Sequence, residues 1–253
     1  MFRVSNKGHT VEVPVIIERV TMATLSCWLA IAMAVAGADP TTAKDALKAC
    51  NLVVGTWKGT GTQEAVRPAK DKSFWNEVIA WEWQFKGEDV WLKMTIDKGK
   101  FYSQGELRYL VDKKTYQLTT KTNDGDSVTF TGTPSIGKTK ETILTLERTD
   151  DKTKETERLV FTLLHHNRYL YRFETKAEGA TSFVRKYQVG ATKEGVAFAD
   201  VPTGPECIVS GGRGSMTVTH NGKTYYVCCS GCRDAFKDEP EKYIKEFEAK
   251  QKK

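Results

Sequence analysis

The sequence lacks the motifs that mark several large groups of enzymes. It contains no P-loop, no glycine-rich dinucleotide fingerprint and no recognisable nucleophile motif. Gly59-Thr60-Gly61 stands inside an alternating strand pattern, which is not the setting of a phosphate-binding loop. We therefore expect that the chain is not an enzyme.

Long apolar runs and blocks of one charge are also missing. The net charge is +6, and the lysines and acidic residues are interspersed rather than grouped into a basic stripe with aromatic residues. This pattern argues against nucleic-acid binding. The most apolar stretch, residues 23–38, is too short and alanine-rich for a typical span of about 20 apolar residues. We expect no stable membrane span.

Residues 1–38 have the features of an export signal. An apolar core follows Met22 and ends in small residues, with Ala34-Val35-Ala36 or Ala36-Gly37-Ala38 as the cleavage site. Residues 1–21 carry a strand-like run instead of a typical signal start, so Met22 is a second candidate for the true start. A retained anchor is the alternative. We predict an exported protein, periplasmic or extracellular, in an oxidising compartment.

An alternation of apolar and polar residues dominates the chain from Val53 to about Gly190. The alternating runs are short and separated by turn signals, which is typical of β-strands, and they number nine or ten. Such a long meander usually closes, because closure removes unpaired strand edges. The sequence predicts an antiparallel β-barrel over residues 39–190, beginning with a short threonine-capped helix at 41–50.

The start of the predicted barrel carries the string Gly55-Thr56-Trp57. It resembles the Gly-x-Trp opening of lipocalin-like folds, in which the tryptophan plugs the base of the barrel. The resemblance implies a lipocalin-like architecture, although the rest of the lipocalin signature is not evident. The barrel interior could be a packed core or could hold a small apolar ligand. Four tryptophans are candidates to line it: Trp75, Trp81, Trp83 and Trp91.

Four of the six cysteines fall in the last fifty residues. Cys207 is followed after twenty residues by Cys228, and Cys232 comes after three more. Thiolates are soft ligands that select Zn(II), Cu(I) and similar ions. The five cysteines beyond residue 38 are an odd number, which favours a metal site over a disulfide framework. We predict that Cys207, Cys228 and Cys232 bind a zinc or copper ion.

The identity of a fourth ligand stays open at this point. Cys229, His220, water or nothing could complete the site. Three thiolates alone suit Cu(I), whereas four ligands suit Zn(II). Cys228 and Cys232 flank the start of a predicted helix, where the helix N-terminus favours thiolate charge. Cys50 lies far from the other cysteines in sequence, and we interpret it as a small buried apolar residue.

Residues 207–247 resemble the TRASH/YHS family of small heavy-metal-binding domains. The match rests on the cysteine spacing, on Gly222-Lys223-Thr224-Tyr225-Tyr226 before the second cysteine, and on Phe236 and Glu239-Pro240-Glu241-Lys242-Tyr243 after it. Cys229 stands where many such domains carry serine, and Glu239 replaces the usual aspartate. The resemblance covers about forty of the 253 residues. It implies a small α+β, treble-clef-like metal-binding domain over residues 207–253, joined to the barrel by a linker at 191–206.

The sequence also offers candidates for two other kinds of site, a redox-active cysteine pair and a haem ligand. Cys229-Ser230-Gly231-Cys232 is a Cys-x-x-Cys string of the kind that redox enzymes carry, but no βαβ pattern surrounds it. His165 and His166 lie in an apolar strand, where neighbouring side chains point to opposite faces. One of them could face the barrel interior and ligate haem.

The leading hypothesis is an exported protein that binds a soft metal ion for sequestration, sensing or delivery. The alternative is a carrier of a small apolar ligand, in which the barrel is the functional part and the zinc is structural. A filled barrel interior favours the first hypothesis, and an empty apolar interior favours the second.

Overall fold

The alternating pattern folds into ten antiparallel strands that close into a barrel. The computed structural model describes most of the chain and omits the predicted export signal and the side chain of His165. The described residues belong to one compact unit, and they are 42–63, 74–138, 140–165, 167–196 and 204–251.

Each barrel strand pairs with its neighbours in sequence, and the first strand also pairs with the last. Closure leaves no unpaired edge on the barrel. The predicted antiparallel β-barrel is therefore confirmed. The strands are β1 Gly55–Gln63, β2 Phe74–Lys86, β3 Asp89–Asp97, β4 Tyr102–Leu110, β5 Thr115–Thr122, β6 Ser127–Ile136, β7 Thr142–Thr149, β8 Thr156–His165, β9 Arg168–Lys176 and β10 Val184–Lys193.

The last barrel strand is longer than its pattern indicated. β10 continues to Lys193, three residues into the segment 191–206 that was predicted as a linker. The reason is its pairing with β1, in which Ala191 lies opposite Gly59 and is fully buried. Within the predicted linker, residues 197–203 lie outside the described part of the chain.

A short helix packs across one end of the barrel. Helix α1, Ala43–Leu47, starts at the predicted threonine cap, where Thr42 Oγ1 accepts a hydrogen bond of 3.1 Å from the Asp45 backbone N–H. A 3-10 turn at Lys48–Val53 continues it. The Tyr116 hydroxyl donates to the Ala46 carbonyl at 2.6 Å and anchors the helix to β5. The predicted cap is confirmed.

Apolar side chains fill the barrel interior. Trp57, Trp81 and Trp83 are almost fully buried, and Trp57 packs edge-to-face on Tyr169 with ring centroids 4.7 Å apart. An apolar cavity of only about 20 Å³ lies between the α1 end and the strands, which is room for about one water molecule. Trp91, by contrast, lies on the outer face of β3 below Arg108, whose guanidinium carbon is 4.3 Å from the ring centroid.

A few polar groups are buried in the barrel with their partners. The Glu77 carboxylate accepts hydrogen bonds from the Tyr171 hydroxyl at 2.6 Å and from Trp75 Nε1 at 2.7 Å. Burial raises the pKa of Tyr102 and that of Cys50 to about 12, and it raises the pKa of Tyr171 well above 10. The folded barrel therefore holds these groups in their neutral forms.

These buried neutral groups predict a loss of stability at high pH. A pKa that is higher in the folded chain than in the unfolded chain stabilises the fold below the unfolded value, and the contribution disappears as pH rises through the folded value. Each such group removes up to about 1.4 kcal/mol per pH unit, starting at about pH 9 for Cys50 and at about pH 10 for the tyrosines. Urea unfolding from pH 8 to 11.5 measures this fall. Tyr171→Phe should reduce its slope, and constant stability over the range would contradict the assignment.

The C-terminal segment contains a hairpin and two helices. The elements are β11 Met216–His220, β12 Lys223–Val227, α2 Ser230–Asp238 and α3 Pro240–Gln251. Asn221 and Gly222 have φ values of 48° and 73°, as a tight type I′ hairpin turn requires. The predicted Asn-Gly turn and the predicted helix break at Pro240 are confirmed. No helix in the described ranges is both long enough and apolar enough to cross a bilayer.

Candidate metal centre

Three of the predicted ligands converge in the folded chain. The sulfur atoms of Cys207, Cys228 and Cys232 all lie within 4.8 Å of one another, and Cys228 Sγ is 3.5 Å from Cys232 Sγ. Two sulfurs bound to one tetrahedral zinc at about 2.3 Å are about 3.8 Å apart. The spacing and the chemistry of the donors therefore fit a single soft metal ion.

A tight loop before the hairpin positions Cys207. Its backbone N–H donates to the Gly212 carbonyl at 2.7 Å, and its carbonyl accepts from Gly211 N–H at 2.9 Å. The next residue, Ile208, donates its N–H to the Tyr226 carbonyl at 2.9 Å, which ties the loop to β12. The loop thus brings Cys207, which is fully buried, beside the end of β12.

The junction between β12 and α2 supplies the other two thiols. Cys228 directly follows the last residue of β12, Cys229 is the N-cap of α2, and Cys232 lies in its first turn. A helix N-terminus carries unpaired backbone N–H groups and partial positive charge, so it stabilises thiolates. This local arrangement is the one that the sequence predicted.

Hydrogen bonds between the thiols shift their protonation. The pKa of Cys207 lies well below its usual value because Cys228 and Cys232 donate to its sulfur, and the Ser210 backbone N–H adds a contact of 3.5 Å. Burial raises the pKa of Cys232 well above its usual value. A thiolate at Cys207 is thus favoured over thiolates at the other two ligands, and a metal cation would neutralise its charge.

Of the two side chains considered as a fourth ligand, Cys229 lies beside the three sulfurs and His220 has a carboxylate partner of its own. Cys229 Sγ is 3.9 Å from Cys228 Sγ and accepts the backbone N–H of Trp83 at 3.4 Å. His220 Nε2 lies 2.8 Å from a carboxylate oxygen of Glu241. Neither residue belongs to the group of three converging sulfurs in the described part of the chain.

Replacing Cys229 by serine should leave metal binding nearly intact. The serine hydroxyl can still accept the Trp83 N–H, and the three converging sulfurs are unchanged. We expect one bound ion per chain and an affinity within about tenfold of the original, because changes next to ligands typically cost about 10–100-fold or less. Competition with a chromophoric chelator measures both quantities. A loss as large as that for Cys232→Ser would make Cys229 a ligand.

Hydrogen bonds also join the cysteine segment to the barrel. Trp83 Nε1 donates to Asn51 Oδ1 at 3.1 Å, and Asn51 Nδ2 donates in turn to the Ser210 carbonyl at 3.1 Å. At the start of α2, Ser230 Oγ donates to Glu82 Oε1 at 2.7 Å. Sequence reasoning missed Asn51 and Trp83 in this role, because the contacts join residues more than a hundred positions apart.

A half-open cavity of about 960 Å³ lies beside the thiol cluster. Its walls come from β1, β2, the end of β10 and the cysteine segment, and they include Cys228 and Lys193. Burial lowers the pKa of Lys193 to about 8, the Cys228 thiol opposes this shift, and Arg213 adds to it. No sequence signal pointed to this cavity, since it forms between distant segments.

The haem hypothesis depends on the side chains of His165 and His166. The side chain of His165 and the whole of His166 lie outside the described residues. The haem hypothesis therefore stays a prediction.

Comparison with solved structures gives similarities, whereas the other two comparisons give none. No protein-family model matches the sequence, and no curated protein matches it. Among solved structures, the crystal structure of Rv2717c from M. tuberculosis is similar, with 17% sequence identity and a TM-score of 0.42. The similarity covers 59% of this chain and 97% of that chain.

Proposed function

We propose that this protein binds one soft metal ion through Cys207, Cys228 and Cys232, for sequestration, sensing or delivery. The observation that supports this most strongly is the convergence of three thiols, from a loop, a strand end and a helix start, to within 4.8 Å. All three are unpaired, as are Cys50 and Cys229. Three adjacent thiols without a disulfide are the donor set of a soft metal ion.

Copper(I) is the ion that the arrangement favours. Three thiolates satisfy Cu(I), whereas Zn(II) in a structural site takes four ligands. His220 contacts Glu241, and Cys229, although 3.9 Å from Cys228, lies outside the group of three converging sulfurs. A zinc ion at this site would need water or a rearranged side chain as its fourth ligand.

The C-terminal elements support a TRASH/YHS-like domain of the treble-clef type. They comprise a loop with the first ligand, a hairpin, and a helix whose first turn carries the last ligand. In this proposal the protein is exported and the barrel is the scaffold that holds the metal domain. The contacts of Asn51 and Trp83 with the cysteine segment support a scaffold role.

The competing proposal is a carrier that holds a small apolar ligand in the barrel. Its support is weaker, because ligand pockets typically have volumes of about 300–1,000 Å³. The apolar interior cavity has about 20 Å³, and Trp81, Leu107 and Leu118 are among the side chains that close it. A ligand of more than one or two heavy atoms would have to displace core side chains.

Metal analysis of the purified chain tests the proposal. The protein should be prepared without an affinity tag or added metal, reduced, and then titrated with Cu(I) and Zn(II) against chelators of known affinity. We expect one equivalent of Cu(I), bound more tightly than Zn(II). A reduced, folded chain that binds neither ion would refute the proposal.

A further inference from the structure

The cavity beside the cluster exposes one of its three thiols. Cys228 is partly exposed and lines the cavity together with the buried Cys229, whereas Cys207 and Cys232 are fully buried and are not among the lining residues. An ion that arrives through this cavity therefore meets Cys228 first. The volume of about 960 Å³ is far larger than a hydrated ion needs and falls in the range of small-molecule sites.

Lys193 lines the same cavity as Cys228. The Lys193 side chain packs against Gly55, with its ammonium 5.1 Å from the centroid of the Trp57 ring, and it has no ion pair within the described ranges. A largely buried ammonium that lacks an anionic partner is costly, so this position favours an anion. Of the three carboxylates on the wall, Glu194 pairs with Lys58 at 3.1 Å and Glu206 pairs with Lys250 at 2.6 Å, while Glu82 accepts a hydrogen bond from the neutral Ser230 hydroxyl at 2.7 Å.

We propose that the cavity receives the metal as an anionic complex with a small, carboxylate-bearing thiol, and that Lys193 binds a carboxylate of this carrier. The inference rests on the metal-binding function proposed above and adds the form in which the metal arrives. Lys193 and Cys228 line the same cavity, so a carrier that holds the metal on its sulfur and places a carboxylate on Lys193 would bring the metal to Cys228.

The transfer is a thiol ligand exchange without change of oxidation state. Cys228 Sγ forms a bond to the metal, the bond between the metal and the carrier sulfur breaks, and the proton of the Cys228 thiol passes to the departing carrier thiolate. Cys207 and Cys232 then bind the same ion, and the proton of the Cys232 thiol passes to a second carrier thiolate, which leaves in the same way, or to solvent where the carrier supplies only one thiolate. The carrier departs as the free thiol through the open side of the cavity.

Stopped-flow transfer of Cu(I) to the full chain tests this inference. Cu(I) is presented in one arm as its glutathione complex, which is anionic, and in the other as its acetonitrile complex, which is cationic. Lys193→Met keeps the packing on Trp57 and removes the charge, and Lys193→Arg keeps the charge. Lys121→Gln, at an exposed position on β5, is the matched surface control.

We expect Lys193→Met to slow transfer from glutathione by at least about tenfold, while transfer from acetonitrile is not slowed and the final affinity is unchanged. Lys193→Arg and Lys121→Gln should keep the original rates. Equal rates for Lys193→Met and the original chain, or equal slowing from both copper sources, would overturn the inference. Failure to bind copper from either source would instead refute the metal-binding function itself.

Discussion

Replacing Cys232 by serine should abolish tight metal binding and weaken the Cu(I) affinity by at least about 100-fold. Changes to the partners of metal ligands already cost about 10–100-fold, so the loss of a ligand should cost more. Cys232 is fully buried between Cys207 and Cys228, and no other sulfur of the described chain joins this group. Competition with a Cu(I) chelator measures the affinity.

Two other cysteine variants control for the loss of a thiol that is not one of the three ligands. Cys50→Ala changes a buried thiol of the 3-10 turn outside the three-sulfur group, and Cys229→Ser changes a thiol beside it. Both should retain one tightly bound ion. A Cys232→Ser chain that is folded and keeps the original affinity would contradict the assigned ligands.

Replacing Gly231 by alanine should detach the cysteine segment from the barrel. A Cβ atom at Gly231 would overlap the backbone carbonyl oxygen of Trp83, which belongs to β2 and cannot move without disturbing the barrel. Overpacking costs about 1–3 kcal/mol, and a clash with backbone falls at the upper end. For a chain of this size we expect the midpoint of thermal unfolding to fall by about 6–12 °C. Differential scanning calorimetry measures the midpoint.

A second glycine variant controls for the general effect of alanine. At Gly190 on β10, the nearest atom to an added Cβ is Leu170 Cδ2 at 3.5 Å, an ordinary contact. Gly190→Ala should leave the midpoint almost unchanged, because the backbone there accepts a side chain. Gly231→Ala should also weaken Cu(I) binding, since Gly231 directly precedes the proposed ligand Cys232 in the first turn of α2. Equal midpoints for the two variants would contradict the docking geometry.

Local sequence signals predicted the parts of the fold that depend on local structure. The period of two over β1–β10 predicted the barrel, because side chains of a strand alternate between its two faces. The threonine at 42, the Asn221-Gly222 pair and Pro240 predicted the starts and breaks of elements that the structure contains. The end of β10 was misplaced because its pairing partner, β1, is distant in sequence.

For the site as well, the sequence predicted the local arrangement and missed the contacts between distant segments. Spacing placed Cys228 and Cys232 on one strand–helix junction. It predicted Cys207 on a preceding strand, whereas the structure holds Cys207 in a tight loop closed by hydrogen bonds with Gly211 and Gly212. Spacing could not separate Cys229 from the ligands, because that distinction depends on the Trp83 N–H, which lies 146 positions earlier in the chain. For the same reason the cavity at Lys193 could not be predicted, since its walls join only in the folded chain.

X-ray absorption at the copper edge of the Cu(I)-loaded chain tests the central claim most directly. The three-thiolate site predicts one copper per chain with three sulfur neighbours and no nitrogen or oxygen neighbour. The Cys229→Ser chain should give the same spectrum. A spectrum with nitrogen or oxygen neighbours alone, or one whose sulfur number falls in the Cys229→Ser chain, would contradict the site formed by Cys207, Cys228 and Cys232.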